Sequence, residues 1–421
     1  MTWDIGAILA DMIKRNASDL HLKVGRPPLM RIGGDLLPTE YPSMDELGLT
    51  EIAHKIMPGG VRTLFEKTHE ADFSYSIPDL ARFRVNIFRQ LGLPGIVIRA
   101  IPLEIPAIDS LGLPSVLKDM VQKRQGLILV TGPTGSGKST SLAAMVDHIN
   151  ATRHCHIVTI EDPVEFVYTD NLATINQREL GTDTANYSEA LRRTLRQDPD
   201  VILIGELRDS KIMEIAIEAA ETGHLVLSTL HTNDSKQTLD RILDSFPPDE
   251  VPRIRGILSL VLVGIMSQRL LKRADGDGRV PAVEVLVNSP HIRSLLEEGN
   301  IRDLDKAMAK SSSYYRMQTF NQSLAALVQD HFVTEEEALG FSSSPDDLKR
   351  AIRGIGSGAA GIESGIGIPG SASPEKDTGG NTNILQKLQE MDEEVASARK
   401  DEKKKAPPAE GRPRINRGFD L

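Results

Sequence analysis

The sequence predicts an α/β protein in two parts, a small α+β domain followed by a larger domain built on a mostly parallel sheet. Alternating polar and apolar residues with strand-like runs fill the first hundred positions. Short apolar, β-rich runs then alternate with helical patterns between 126 and 228. The prolines Pro102, Pro106 and Pro114 separate the two parts. A length of 421 residues suits two domains and an unstructured segment.

The first unit is expected over 1–101. Ile5, Leu9, Met12 and Ile13 recur at helical spacing, and 18–24 alternates as a half-buried strand does. Helical stretches near 44–57 and 59–68 precede strand-like runs at 71–77, 82–89 and 94–101. A linker over 102–110 leads to the second unit, 111–353. Its runs at Gly126–Thr131, 155–160, Val201–Ile204 and 225–228 predict a sheet covered by helices on both faces. Beyond about 245 the pattern turns mainly helical, with a short β segment near 280–287. The tail, 354–421, is rich in Gly and Ser and then in Lys, Pro and acids, so disorder is expected. Within it Ile384, Leu388, Met391 and Val395 draw one helical stripe, which is either a transient helix or a docking helix for a partner.

Composition excludes several classes. A net charge of -10 argues against a protein that coats nucleic acid, so no nucleic-acid partner is expected. The lone Cys155 forms no intrachain disulfide and no cysteine zinc site, which fits a reducing cytoplasm. The N-terminus lacks the basic and apolar pattern of a signal peptide. The most apolar run, 257–266, falls far short of the ~20 residues that span a bilayer, so contact with a membrane is expected only through partners.

Gly132, Pro133, Thr134, Gly135, Ser136, Gly137, Lys138 and Ser139 match G-x-x-x-x-G-K-[ST], with Thr140 following. An apolar strand (127–130) precedes the motif and a helix (141–149) follows it. Glycines let backbone N–H groups approach phosphate oxygens, and the helix N-terminus adds unpaired donors. Lys138 supplies charge to the β/γ-phosphates and Ser139 a hydroxyl to Mg²⁺, so ATP and Mg²⁺ are the expected ligands.

Acids follow two other apolar strands. Glu206 ends 201–206 and is a candidate to orient or deprotonate water, or else an acid that caps the next helix. Glu161, Asp162 and Glu165 crowd one turn, an arrangement that calls for a cation or an arginine unless the turn is solvated. Glu161 lies nearest its strand end and, with Glu206 and Ser139, is the candidate metal ligand. His231 follows a third strand and is either a γ-phosphate sensor or structural; His224, at the strand's other end, reads as structural.

Together GPTGSGKST (132–140), TIEDPVEF (159–166), LIGELRD (203–209) and TGHLVLSTLHT (222–232) resemble the Walker A, Asp box, Walker B and His box of the type II/type IV pilus secretion ATPases. SDLHL (18–22), RFRVN (82–86) and QREL (177–180) extend the resemblance over about 1–353. One cysteine and a start close to SDLHL resemble the PilT/PilU retraction motors rather than assembly ATPases. The resemblance implies a hexameric ring, a PAS-like N-terminal domain, a RecA-like domain, and nucleotide held between them. It implies catalytic roles for Glu161, Glu206 and His231, and for Arg82, Arg84 and Arg99 as arginines reaching the phosphates. The implied function is pilus retraction in twitching motility, acting on an inner-membrane platform protein, with other pilus ATPases as further partners. The alternatives are an accessory PilU-like ATPase and a RecA-like nucleic-acid motor. Where the family has AIRNLIRE this chain has HIRSLLEE (291–298), with Glu297 at the second arginine position, and 342–352 resembles the PilU extension.

Overall fold

The computed structural model describes residues 3–354 except 79, 102, 103 and 277. The expected tail, with its stripe at 384–395, lies outside the described residues, as does the start of the expected linker.

The first sheet contains β1 (Asp19–Lys23), β2 (Leu29–Ile32), β3 (Asp35–Pro38), β4 (Glu70–Ile77), β5 (Ala81–Gln90) and β6 (Leu93–Ile101). Their order is β3-β2-β1-β6-β5-β4, and every pair is antiparallel. Helices Ile5–Lys14, Glu46–Ile56 and Gly59–Thr68 supply the apolar cover. Period-two alternation sends Phe83, Val85 and Ile87 of β5 into this core. Arg82 and Arg84 therefore share the opposite face. The register sets Arg84 against Arg99 of β6, and Arg99 against Asp19 of β1.

The second sheet contains β7 (Gly126–Thr131), β8 (His156–Glu161), β9 (Thr174–Glu179), β10 (Val201–Ile204), β11 (Leu225–Leu230), β12 (Leu262–Lys272) and β13 (Arg279–Val287). The order is β13-β12-β7-β11-β10-β8-β9; all neighbours are parallel except β12 and β13. β7, β10 and β11 are buried at every position. Leu127 and Leu129 pack with helix Ser210–Glu221, whereas Ile128 and Val130 pack on the other side with helix Lys138–Thr152. Register aligns Thr131 with Leu230, and Ile204 with Ser228 and Ile160, so the carboxyl ends of β7, β11, β10 and β8 meet along one edge.

One central feature departs from the helical expectation past 245. The apolar run at 257–266 is divided: helix Val251–Val261 ends and β12 begins at Leu262. An unbroken apolar run carries no period, so it fits a buried helix and a buried strand equally. Tertiary pairing decides. Thr131 and Ser267 share a buried 2.8 Å hydrogen bond between β7 and β12. Gly264 lets β13 approach, since a Cβ there would stand 2.4 Å from the Leu286 carbonyl oxygen.

β13 also anchors the segment after His231. Helix Ser235–Leu243 is capped by Asp234, and the Ser235 amide donates to Glu284 Oε1 of β13 at 2.8 Å. Glu284 is 4% exposed, and burial pushes its carboxyl up to about 7 against the pull of that amide. The folded protein thus keeps this proton to near neutrality, whereas an unfolded glutamate loses it near ~4.3. Between those values the native state binds more protons, so this contribution to stability is full below the lower value and is lost as pH rises through the higher one. Calorimetric melting of wild type and Glu284→Gln from pH 4 to 8 is expected to show wild type losing ground to the variant mainly between pH 5 and 7; a gap independent of pH would contradict this.

Candidate active site

A cavity of about 540 Å³ lies where the carboxyl ends of the second sheet face the first sheet. The phosphate loop lines one wall with Thr134, Gly135, Gly137, Lys138, Ser139 and Thr140; Pro133 and Ser136 complete the turn without lining it. Gly132 has a φ of 146°, and a Cβ on it would stand 2.3 Å from the Gln268 carbonyl oxygen of β12. Glycine is required there because the loop must pass directly under that strand. Lys138 opens helix Lys138–Thr152, and its Nζ donates to the carbonyls of Gly132 at 2.9 Å and Pro133 at 3.0 Å. Burial lowers its pKa, which Glu206 and Glu165 partly oppose.

The other wall carries the strand-end groups. His231 Nε2 stands 3.4 Å from Glu206 Oε1, so the fold brings these two residues together from adjacent strands. Arg208 Nε donates to the other Glu206 oxygen at 3.2 Å, and its Nη1 to Asp162 at 3.1 Å. The acidic turn therefore has its arginine, supplied by the stretch after β10. Asp209, not Glu206, caps the next helix by accepting from the Ile212 amide at 2.9 Å. Glu161 accepts from Thr159 at 2.6 Å and Gln177 at 3.3 Å, and burial pushes its pKa up despite them. His224 Nδ1 lies 2.9 Å from the Ala219 carbonyl, at the end of its helix and away from the cavity lining.

Arg84 and Arg99 reach the cavity from the first sheet. Arg84 makes no ion pair among the described residues, and Arg99 Nε donates to Asp19 Oδ1 at 2.7 Å. Like charges directly opposite on neighbouring strands repel, so this pair is suited to a polyanion between the sheets. Burial opposes ionisation of Asp19, but hydrogen bonds from Ser18 and Arg99 hold its pKa below the usual value. Arg82 corrects the sequence expectation. It stands outside the cavity lining and donates to Glu179 Oε2 at 2.6 Å. Its place two residues from Arg84 puts it on the same sheet face, yet one rung farther along the hairpin a buried carboxylate claims it.

Sequence reasoning missed Arg208, Asp19 and Glu179. Asp19 carried a signal, an acid within the alternating strand 18–24, but its partner lies across the sheet. Arg208 and Glu179 sit inside the quoted motifs with nothing local to assign them.

The family described as type II/IV secretion system protein matches residues 2–323. The chain is 43% identical over 345 residues to the type IV pilus retractation ATPase PilT of Pseudomonas aeruginosa, spanning 82% of this chain and 100% of that one. The chain belongs to the type II/IV secretion ATPases, on their PilT/PilU-like branch. It is also 39% identical to the type IV pilus ATPase PilU of that organism, spanning 82% of this chain and 90% of the relative. A crystal structure of the pilus retraction motor PilT with bound ADP superposes with a TM-score of 0.78 at 42% identity, covering 83% of this chain and 99% of that one. In this PilT/PilU-like ATPase the departing Glu297 lies on helix Pro290–Glu298 and accepts from Ser259 of the neighbouring helix at 3.1 Å.

Truncating Lys138 removes the one cationic head buried within the phosphate loop. Lys138→Ala is expected to weaken ADP binding at least about thirtyfold, the ~2 kcal/mol or more lost with one partner of a desolvated charge pair; titration calorimetry with wild-type affinity in the variant would refute this.

Proposed function

We propose that this chain hydrolyses Mg-ATP as a homo-hexameric motor and powers type IV pilus retraction. One observation carries the reading: the phosphate loop, the Glu206–His231 pair and two arginines of the other sheet line a single cavity. Phosphate chemistry and the relative position of the two sheets are then linked through that cavity. The similarity to PilT over most of the chain supports the same reading.

Loop amides and Lys138 hold the phosphates, and the helix N-terminus behind them favours negative charge. Ser139, Glu161 and Glu206 offer hard oxygen donors, and a hydroxyl with at most two carboxylates suits Mg²⁺, which keeps waters and substrate phosphates in its shell. When bound, Mg²⁺ neutralises phosphate charge. Glu206 orients the attacking water and takes its proton. Arg208 holds one oxygen of Glu206 and His231 stands 3.4 Å from the other, so the carboxylate is oriented before water arrives. Arg84 and Arg99 stabilise charge on the transferring phosphoryl group as the sheets close on it, a rigid-body motion about the 102–110 connector.

The work passes to a platform protein in the cytoplasmic membrane, with other pilus ATPases as companions. Among the described residues no helix is long and apolar enough to cross a membrane, so the reading places the chain at the inner membrane face through partners. A PilU-like accessory role is the second reading, favoured by Glu297 and by the similarity to PilU. A nucleic-acid motor draws no support from a net charge of -10.

Glu206→Gln is expected to keep ATP binding and to cut turnover at least about a hundredfold, the range for losing a general base; full turnover in the purified variant would remove that role. In cells lacking the protein, excess surface pili with lost twitching mark a principal retraction motor. Normal piliation with altered motility supports the accessory role, and loss of pili overturns retraction.

A further inference from the structure

Glu179 ends β9 and is 5% exposed. Its Oε2 accepts from Arg82 at 2.6 Å, from the Ser74 hydroxyl at 2.9 Å and from the Val164 amide at 3.1 Å. Its Oε1 accepts from Thr182 at 3.2 Å. One carboxylate oxygen thus joins the two sheets: Ser74 and Arg82 belong to the β4–β5 hairpin, while Val164 belongs to the acidic turn after β8. Glu179 is also the register partner of Glu161 across the β8–β9 pair. On the hairpin, Ser74 is the register partner of Arg84, which lines the cavity. A displacement of the hairpin therefore acts on the phosphate side through Arg84 and on the acidic turn through Glu179.

We propose that Glu179 is a positioning residue that hooks the N-terminal sheet to the acidic turn, with Arg82 as the other half of the hook rather than a phosphate ligand. The proposal rests on the ATPase cycle of closure described above. A charge-assisted bond as short as this one is strong and directional. A buried carboxylate stripped of its cation is costly, so the hook favours the arrangement in which the sheets are together. In that arrangement the Val164 amide is tied down, and with it the turn that begins at Glu161. Closing the sheets and fixing the acidic turn are then one event, and hydrolysis waits on it.

The test uses the full chain with Arg82→Ala, Glu179→Ala, the double variant, and the conservative Glu179→Gln. Each single alanine variant is expected to lower kcat about tenfold or more with the ADP dissociation constant within about threefold, the mark of lost positioning rather than lost binding. The double variant is expected to match the worse single within about twofold, because both changes cut the same connection. Glu179→Gln, which still accepts from Val164 and Ser74, is expected to recover most of the rate. Ser74→Ala reaches the same oxygen with little risk to folding and is expected to lower kcat in the same sense. Hydrogen exchange of the segment 162–168 is expected to rise at least about tenfold in Arg82→Ala, a readout independent of turnover. Unchanged exchange there overturns the hook, as does a double variant whose losses multiply. An Arg82→Ala protein whose affinity for a non-hydrolysable ATP analogue falls more than about threefold would make Arg82 a phosphate ligand and overturn it as well. A wild-type chain that does not hydrolyse ATP refutes the functional reading, whereas the exchange result still decides the hook.

Discussion

Burial of the central strands on both faces is the constraint on which the rest of this structure depends. β7, β10 and β11 have no residue open to solvent, so none can present a reactive side chain along its length. Chemistry is confined to the carboxyl ends, where each chain leaves the sheet. Parallel pairing then delivers the phosphate loop, Glu161, Glu206 and His231 to one edge from positions scattered over a hundred residues. β12 closes that edge by lying beside β7 and over Gly132. A flexible stretch in place of β12 would leave the loop free to relax away from its inward-facing amides.

Charge is arranged around this edge so that each group is restrained by another. Glu206 is held between Arg208 and His231, Arg99 by Asp19, and Arg82 by Glu179. Arg84 of the cavity lining makes no ion pair among the described residues. Its side chain lines the same cavity as the phosphate loop, opposite Arg99 in register. The repulsion between that pair favours an anion in the gap. A phosphate chain bound in the gap would therefore touch both sheets at once, which suits a motor cycle.

Much of the fold and half of the site were legible before any coordinates. The phosphate loop is a local device, because its function follows from glycine conformations and a lysine at fixed spacing, and those are written in consecutive residues. Glu206 and His231 were legible as strand-end residues for the same reason. The strand β12 was not, since an unbroken apolar run from 257 to 266 has no period to distinguish helix from strand. The N-terminal arginines were legible as a group only through the family resemblance, and not individually. Arg82 and Arg84 occupy equivalent faces of one strand, and only the neighbour each meets separates their roles.

The sequence by itself determined the α/β class, the phosphate-loop pattern at 132–139, and the strand ends on which Glu161, Glu206 and His231 stand. It could do so because loop conformation, hydrophobic period and strand burial are properties of short segments. The tertiary structure alone decided that Arg208 balances the acidic turn, that Asp19 holds Arg99, and that Arg82 belongs to Glu179 and not to the cavity. Those pairings join residues 46 to 97 positions apart. Attraction between charges depends on their separation in space, which strand register sets for Asp19 and Arg99, neighbouring strand ends set for Asp162 and Arg208, and the packing of one sheet against the other sets for Arg82 and Glu179.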